Sequence, residues 1–161
     1  MLLSNRVNYW TGDECRRFEA EFSSSVNCKY GVAVTNGTVA LDLALLALGI
    51  GQEDEVIVTS RSFIASASCV VNCGATPRFA DVDRDSQNIT PTSKRDALTD
   101  KTRAIICVHL GGWPCEMASI RRLANDHGLF LIEDYAQAHG AAFDAQPVGS
   151  LGDVAAWSFC Q

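Results

Sequence analysis

No stretch of this sequence carries the roughly 18 to 20 consecutive apolar residues that a membrane-crossing helix requires. Met1 to Asn8 also lacks the basic-then-apolar order of a secretory leader, so a cytoplasmic protein without membrane contact is expected. Positive charge is scarce as well: 13 Lys and Arg face 19 Asp and Glu, the formal net charge is -6, and no block of basic residues occurs. Such a chain has no cationic surface for a phosphate backbone, which removes nucleic acid from the expected partners. The seven cysteines are odd in number and scattered, without the C-x2-C pair of a zinc site, so no metal is expected. Cys69 and Cys73 fall on one helix face while Cys107 and Cys160 lie inside apolar runs, and all are read as reduced packing residues. A dinucleotide fingerprint is missing too, because Gly49 and Gly51 follow a helical stretch and no third glycine arrives at the right offset. The "GSLG" at 149–152 lacks the glycine spacing of a nucleophile elbow.

What is present is a globular composition, 47% apolar and 20% charged over 161 residues, the size of one ordinary domain. An amphipathic helix over Asp13 to Ser25 opens the pattern, with Phe18 and Phe22 on one face. Short continuous apolar runs follow at Gly31 to Val34, Val56 to Thr59, Ala104 to Val108, Leu129 to Ile132 and Val154 to Phe159. Runs of this kind read as strands covered on both faces. Between them lie helical segments at Thr38 to Leu48, Phe63 to Asn72, Thr92 to Leu98 and Glu116 to His127. The first is apolar nearly all round, with only Asp42 polar inside it and Gly49 as its stop, and is expected to be a central, buried helix. The alternation predicts an α/β domain, three layers α/β/α around a mainly parallel sheet with right-handed crossovers.

Open α/β sheets bind ligands beyond the carboxyl ends of their strands. Those ends carry Asn36-Gly37-Thr38, Ser60-Arg61-Ser62-Phe63, His109, Glu133-Asp134 with Gln137, and Ser158. Gly37 and Thr38 stand where a strand turns into a helix, which offers either an anion site at free backbone amides or a plain turn with Thr38 as N-cap. Two acids ending an apolar strand need a partner, supplied by the protein or by a ligand. For Glu133 the protein candidates are Arg61 and Arg103. For Asp134 a bound heterocycle with a protonated ring nitrogen is attractive, with Gln137 one turn on reaching a neighbouring ring oxygen.

"NGTVALDLALLALGIGQEDEVIVTSRSFIASAS", "PRFADVD", "VHLGGWPCEM", "LFLIEDYAQAHGA" and "GSLGDVAAWSF" resemble the DegT/StrS-type sugar aminotransferases, fold-type I enzymes that use pyridoxal 5'-phosphate. The resemblance begins near "NYWTGDE" at Asn8 and runs to the last residue. It implies that Gly37, Thr38 and Ser158 bind the cofactor phosphate and that Phe63 stacks on the pyridine ring. It also implies that Asp134 pairs with the ring nitrogen and Gln137 bonds the phenolic oxygen, with His139 structural and Glu133 unassigned. The substrate class implied is a nucleotide-linked keto sugar with glutamate as amino donor, in polysaccharide or lipopolysaccharide biosynthesis, and the enzyme is expected to be a homodimer.

In one respect the chain departs from the family. The Schiff-base lysine is expected shortly after Ser158-Phe159, and the sequence ends at Gln161. Lys29, Lys94 and Lys101 sit in polar segments and are expected to be solvated surface amines. Family chains are about twice this long, which implies that residues 1–161 are the amino-terminal part of the large, cofactor-binding domain. The remaining half and the small carboxyl-terminal domain are then absent, and the fragment alone is expected to be inactive. A sugar dehydratase of the same family, with histidine for lysine, and a noncatalytic binding or regulatory protein are the alternatives.

Overall fold

The computed structural model describes residues 12–159, so the opening of the "NYWTGDE" motif and Cys160 lie outside the described residues. The helices are α1 (Glu14–Ser25), α2 (Gly37–Ala47), α3 (Ala65–Asn72), α4 (Pro91–Ala97) and α5 (Met117–His127). The strands are β1 (Glu55–Thr59), β2 (Thr76–Ala80), β3 (Thr102–Val108) and β4 (Phe130–Asp134), then the two-residue pair β5 (Ala142–Phe143) and β6 (Gln146–Pro147), and β7 (Val154–Ala156). Five of these make one sheet in the order β2-β1-β3-β4-β7 with every neighbour parallel, while β5 and β6 pair antiparallel beside it.

Side chains of a strand alternate between faces, and the core divides accordingly. Val56, Val58, Ile106 and Ile132 face α2 and α3, where they meet Leu41, Leu45, Cys69 and Val70. Ile57, Ile105, Cys107 and Leu131 face the other way and pack with Met117, Ile120 and Ala124 of α5 and Ala97 of α4. The three expected layers are therefore present. Gly49, at φ 71, ends α2 in the left-handed conformation that suits glycine. Phe22 of α1 packs edge-on against Trp157 at 5.4 Å and Phe159 at 5.2 Å, so α1 lies over the end of β7.

Four readings need correction. Gly31 to Val34 is not a strand, because no described strand lies beside it to pair with. It runs along α1 instead, with the Ala33 amide donating to the Glu19 carboxylate at 2.8 Å, and Val32 is exposed. The helix α2 is buried on one face only, since Val39, Leu43 and Leu46 are exposed. Strand β2 was not expected: "TPRFA" holds a proline and an arginine and is largely exposed, which an edge position tolerates. The run expected to reach Phe159 as a strand ends at Ala156.

Candidate functional site

The start of α2 is set by Asn36, whose extended backbone places its side chain to accept from the Val39 amide at 3.0 Å. Thr38 is thus not the N-cap; the helix begins two residues earlier than that role requires, with Thr38 inside the first turn. Gly37 and Thr38 hold the first two helical positions, whose N–H groups have no acceptor within a helix and sit at its positive end. A Cβ on Gly37 would lie 2.8 Å from Ser158 Cβ and 3.2 Å from its Oγ. Glycine is required there because the turn packs directly on Ser158. That contact brings together two of the residues expected at a phosphate site.

Asp134 ends β4 and is only 5% exposed. Its side chain faces α3, where Ser66 Oγ donates to Oδ2 at 2.7 Å, and Oδ1 accepts from the Ala136 amide at 3.2 Å. Ser66 Oγ lies 2.7 Å from Ser62 Oγ, extending the chain of hydroxyls toward the end of β1. Burial raises the Asp134 carboxyl above its ordinary value, against the opposing pull of these two hydrogen bonds. The group has no cationic partner among the described side chains, so it is an acid whose charge is incompletely compensated. Phe63 follows Ser62 and is 67% exposed. Gln137 is exposed, and its Oε1 accepts from the Gly111 amide at 2.8 Å, which leaves the amide NH2 as the end able to donate. Since α2 and α3 pack on each other over the same sheet face, Asp134 and the Gly37 turn are on one side. Ser66 was missed; the signal was its spacing four after Ser62 in a helix that is otherwise apolar toward the sheet.

Glu133 points to the opposite face and is fully buried. Neither Arg61 nor Arg103 reaches it: Arg61 is exposed and Arg103 pairs with Asp54 at 3.3 Å. Instead it accepts from the amides of Gly149 at 2.7 Å and Leu151 at 2.8 Å, from that of Gly152, and from His109 at 3.0 Å. The Cys115 amide donates to His109 Nδ1 at 3.1 Å, so that nitrogen accepts and the proton sits on Nε2, facing Glu133. His109 thus belongs to a structural network rather than to the cluster around Asp134. His139 bonds the Ser158 carbonyl at 2.7 Å, in keeping with its expected structural role.

The lysines divide two to one. Lys29 lies 4.9 Å over the Tyr30 ring and Lys101 pairs with Glu53 at 2.9 Å, both exposed. Lys94 is no surface amine: it is 0% exposed, inside the layer between α4 and β3, on the far side of the sheet from Asp134. Two turns of an otherwise polar segment concealed this, since α4 buries only Lys94 and Ala97. A groove of about 950 Å³ opens between α1, α2 and β7, walled by Val32, Val34, Leu43 and Val154. It touches Gly37 and Ser158 but not Asp134, Phe63 or Gln137, and follows the side of β7 that has no neighbour among the described strands. Its walls suit further polypeptide better than a small ligand.

A five-stranded parallel sheet with helices on both faces is the architecture of fold-type I transferases, and the structural neighbours are pyridoxal phosphate-dependent aminotransferases of that type. The profile of the DegT/DnrJ/EryC1/StrS aminotransferase family matches residues 2–161, and the chain belongs to that family. An aminotransferase from Psychrobacter cryohalolentis is 62% identical with a TM-score of 0.97, over 99% of this chain and 40% of that one. The PLP form of the sugar aminotransferase Spr1654 from Streptococcus pneumoniae is 27% identical with a TM-score of 0.92, over 99% of this chain and 45% of that one. In sequence, a UDP-N-acetyl-3-dehydro-alpha-D-glucosamine 3-aminotransferase of Acidithiobacillus ferrooxidans is 48% identical over 95% of this chain and 42% of its own length. The GDP-perosamine synthase of Vibrio cholerae is 44% identical over 89% and 39%. The chain therefore spans about two fifths of the relatives it matches.

Proposed function

We propose that the whole protein is a pyridoxal phosphate-dependent aminotransferase that moves an amino group, with glutamate as donor, onto a nucleotide-linked keto sugar for polysaccharide or lipopolysaccharide biosynthesis in the cytoplasm. The observation that carries this reading is the buried Asp134, without a cationic partner among the described residues, on the same sheet face as a helix start packed against Ser158. These residues fit the cofactor. The Gly37 and Thr38 amides and the Ser158 hydroxyl take its phosphate, a dianion at a helix amino terminus. Phe63 covers the ring, and the Gln137 NH2 donates to the phenolic oxygen. Asp134 holds a proton on the ring nitrogen, because burial makes an anion there favour a cation beside it. When bound, the cofactor supplies an electron-withdrawing ring that stabilises negative charge beside the amino-bearing carbon. The protein's part is to anchor both ends of that ring and keep its nitrogen charged.

The reading includes a homodimer and a proton-shuttling lysine outside residues 1–161, so this chain alone turns over no substrate at a measurable rate. The test compares the full-length protein with the 161-residue chain. Full-length protein with pyridoxal phosphate is expected to absorb in the visible and, with glutamate, to aminate keto sugars linked to UDP, GDP or dTDP. Failure to retain the cofactor overturns the reading. Cofactor-dependent water elimination from a deoxysugar in place of amination moves the protein to the dehydratases. Appreciable transamination by the short chain refutes the assignment of the lysine.

A further inference from the structure

Lys94 Nζ lies 3.5 Å from Cys107 Sγ, and both residues are 0% exposed. Among the described residues no carboxylate pairs with this ammonium. An isolated buried ammonium is costly, so it either loses its proton or takes an anion as partner. Cys107 is the group within reach. Cys115, also fully buried, donates its S–H to the Val108 carbonyl at 3.3 Å. His109 and Glu133, bonded to each other at 3.0 Å, complete the polar surroundings.

We propose that Lys94 and Cys107 form an oxidant-responsive covalent site, in which a hydroperoxide joins the lysine nitrogen to the cysteine sulfur. This site lies on the opposite sheet face from Asp134 and does not depend on the cofactor. Burial by itself would raise the Cys107 thiol, but the neighbouring Cys115 thiol and the Lys94 charge outweigh it and hold the thiol below its ordinary value. The thiolate attacks hydrogen peroxide: an S–O bond forms, the O–O bond breaks, and the departing hydroxide takes a proton to leave as water. With the thiolate gone, Lys94 has lost its anion, and burial, which lowers its proton affinity, favours the free amine. The amine nitrogen then attacks sulfur and the sulfenic hydroxyl leaves as a second water. In sum, one thiol, one amine and one peroxide give an S–N bond and two waters, with sulfur oxidised and peroxide reduced. Cys115 competes poorly because the neighbouring Cys107 and its own burial hold it as a thiol, which is a weak nucleophile. Access comes from α4, which is only seven residues long; opening so short an element is a local event rather than global unfolding. The product ties α4 to β3.

Treatment of the purified full chain with hydrogen peroxide, followed by peptide mass mapping, tests the site. A cross-linked Lys94–Cys107 peptide is expected, lighter by two hydrogens (about 2 Da) and cleaved by a thiol reductant. Cys115→Ala should still form it. Lys94→Met should not, and its Cys107 should react with peroxide more slowly because the charge that favours the thiolate is gone; circular dichroism establishes that this variant is folded. A Cys107–Cys115 disulfide, an unmodified Cys107, or a Cys107 that goes directly to sulfinic acid in the unaltered chain overturns the proposal.

Discussion

Glu133 and Asp134 are consecutive acids at the end of one strand, both removed from water, and they are used in opposite ways. Because strand side chains alternate, one points toward α5 and the 149–152 loop and the other toward α2 and α3. Glu133 is saturated: three backbone amides and the His109 N–H surround a carboxylate that has nothing left to offer. Asp134 has a serine and one amide, its carboxyl is raised by burial, and no cation among the described residues pairs with it. The first acid is finished by the protein and organises it. The second is left unfinished, which is what a residue waiting for a charged ligand looks like.

Substitutions can break or sharpen that contrast. Glu133→Ala should have the largest effect, leaving buried donors of three amides and a histidine unpaired; a loss of about 3–5 kcal/mol is expected, visible as a fall of roughly 6–20 °C in Tm. Asp134→Asn should leave the Tm of the ligand-free chain unchanged or higher, because it removes a buried charge while keeping the hydrogen bonds. In the full-length protein it should weaken pyridoxal phosphate retention by about 10- to 100-fold, measured by equilibrium dialysis. If both variants lose stability alike, the contrast is wrong. Gly37→Ala drives a methyl into Ser158 and should cost about 1–3 kcal/mol, read by denaturant titration and as looser cofactor binding. The smallest effect is a pH dependence. Asp134 binds its proton more tightly folded than unfolded, so stability should be highest below the ordinary carboxylate value and decline as pH rises through the raised one. That component should be missing from Asp134→Asn, as followed by urea midpoints across the acid range.

Much of this was legible in the sequence, for identifiable reasons. Continuous apolar runs marked β1, β3 and β4 because both faces of those strands are covered. Of the expected site residues, Phe63, Asp134 and Ser158 fall at or just beyond strand ends, where turn chemistry is visible, while Gly37 opens a helix that follows no described strand and could be paired with Ser158 only through the family's motifs. What failed was whatever depends on neighbours. Gly31 to Val34 has strand-like residues but no strand beside it, and β2 has a strand beside it but few strand-like residues. Lys94 looked solvated because burial of one amine in a polar helix leaves no periodic trace. Glu133 looked as though it needed an arginine, since amides donated from sixteen to nineteen residues away are invisible to any pattern of side chains.

The grip of Glu133 on the 149–152 loop also limits how this part of the chain can drift in length. Between Gly149, held by that carboxylate, and Ser158, pressed on Gly37, lie β7 and its two short connections, with Val154 in register with Ile132. Adding or deleting one residue there would turn the following side chains to the wrong face and carry the serine hydroxyl away from the helix start. The β5–β6 tip at Asp144 and Ala145 is under no such constraint, so length variation among natural sequences should collect at that tip and spare the stretch from Gly149 to Ser158.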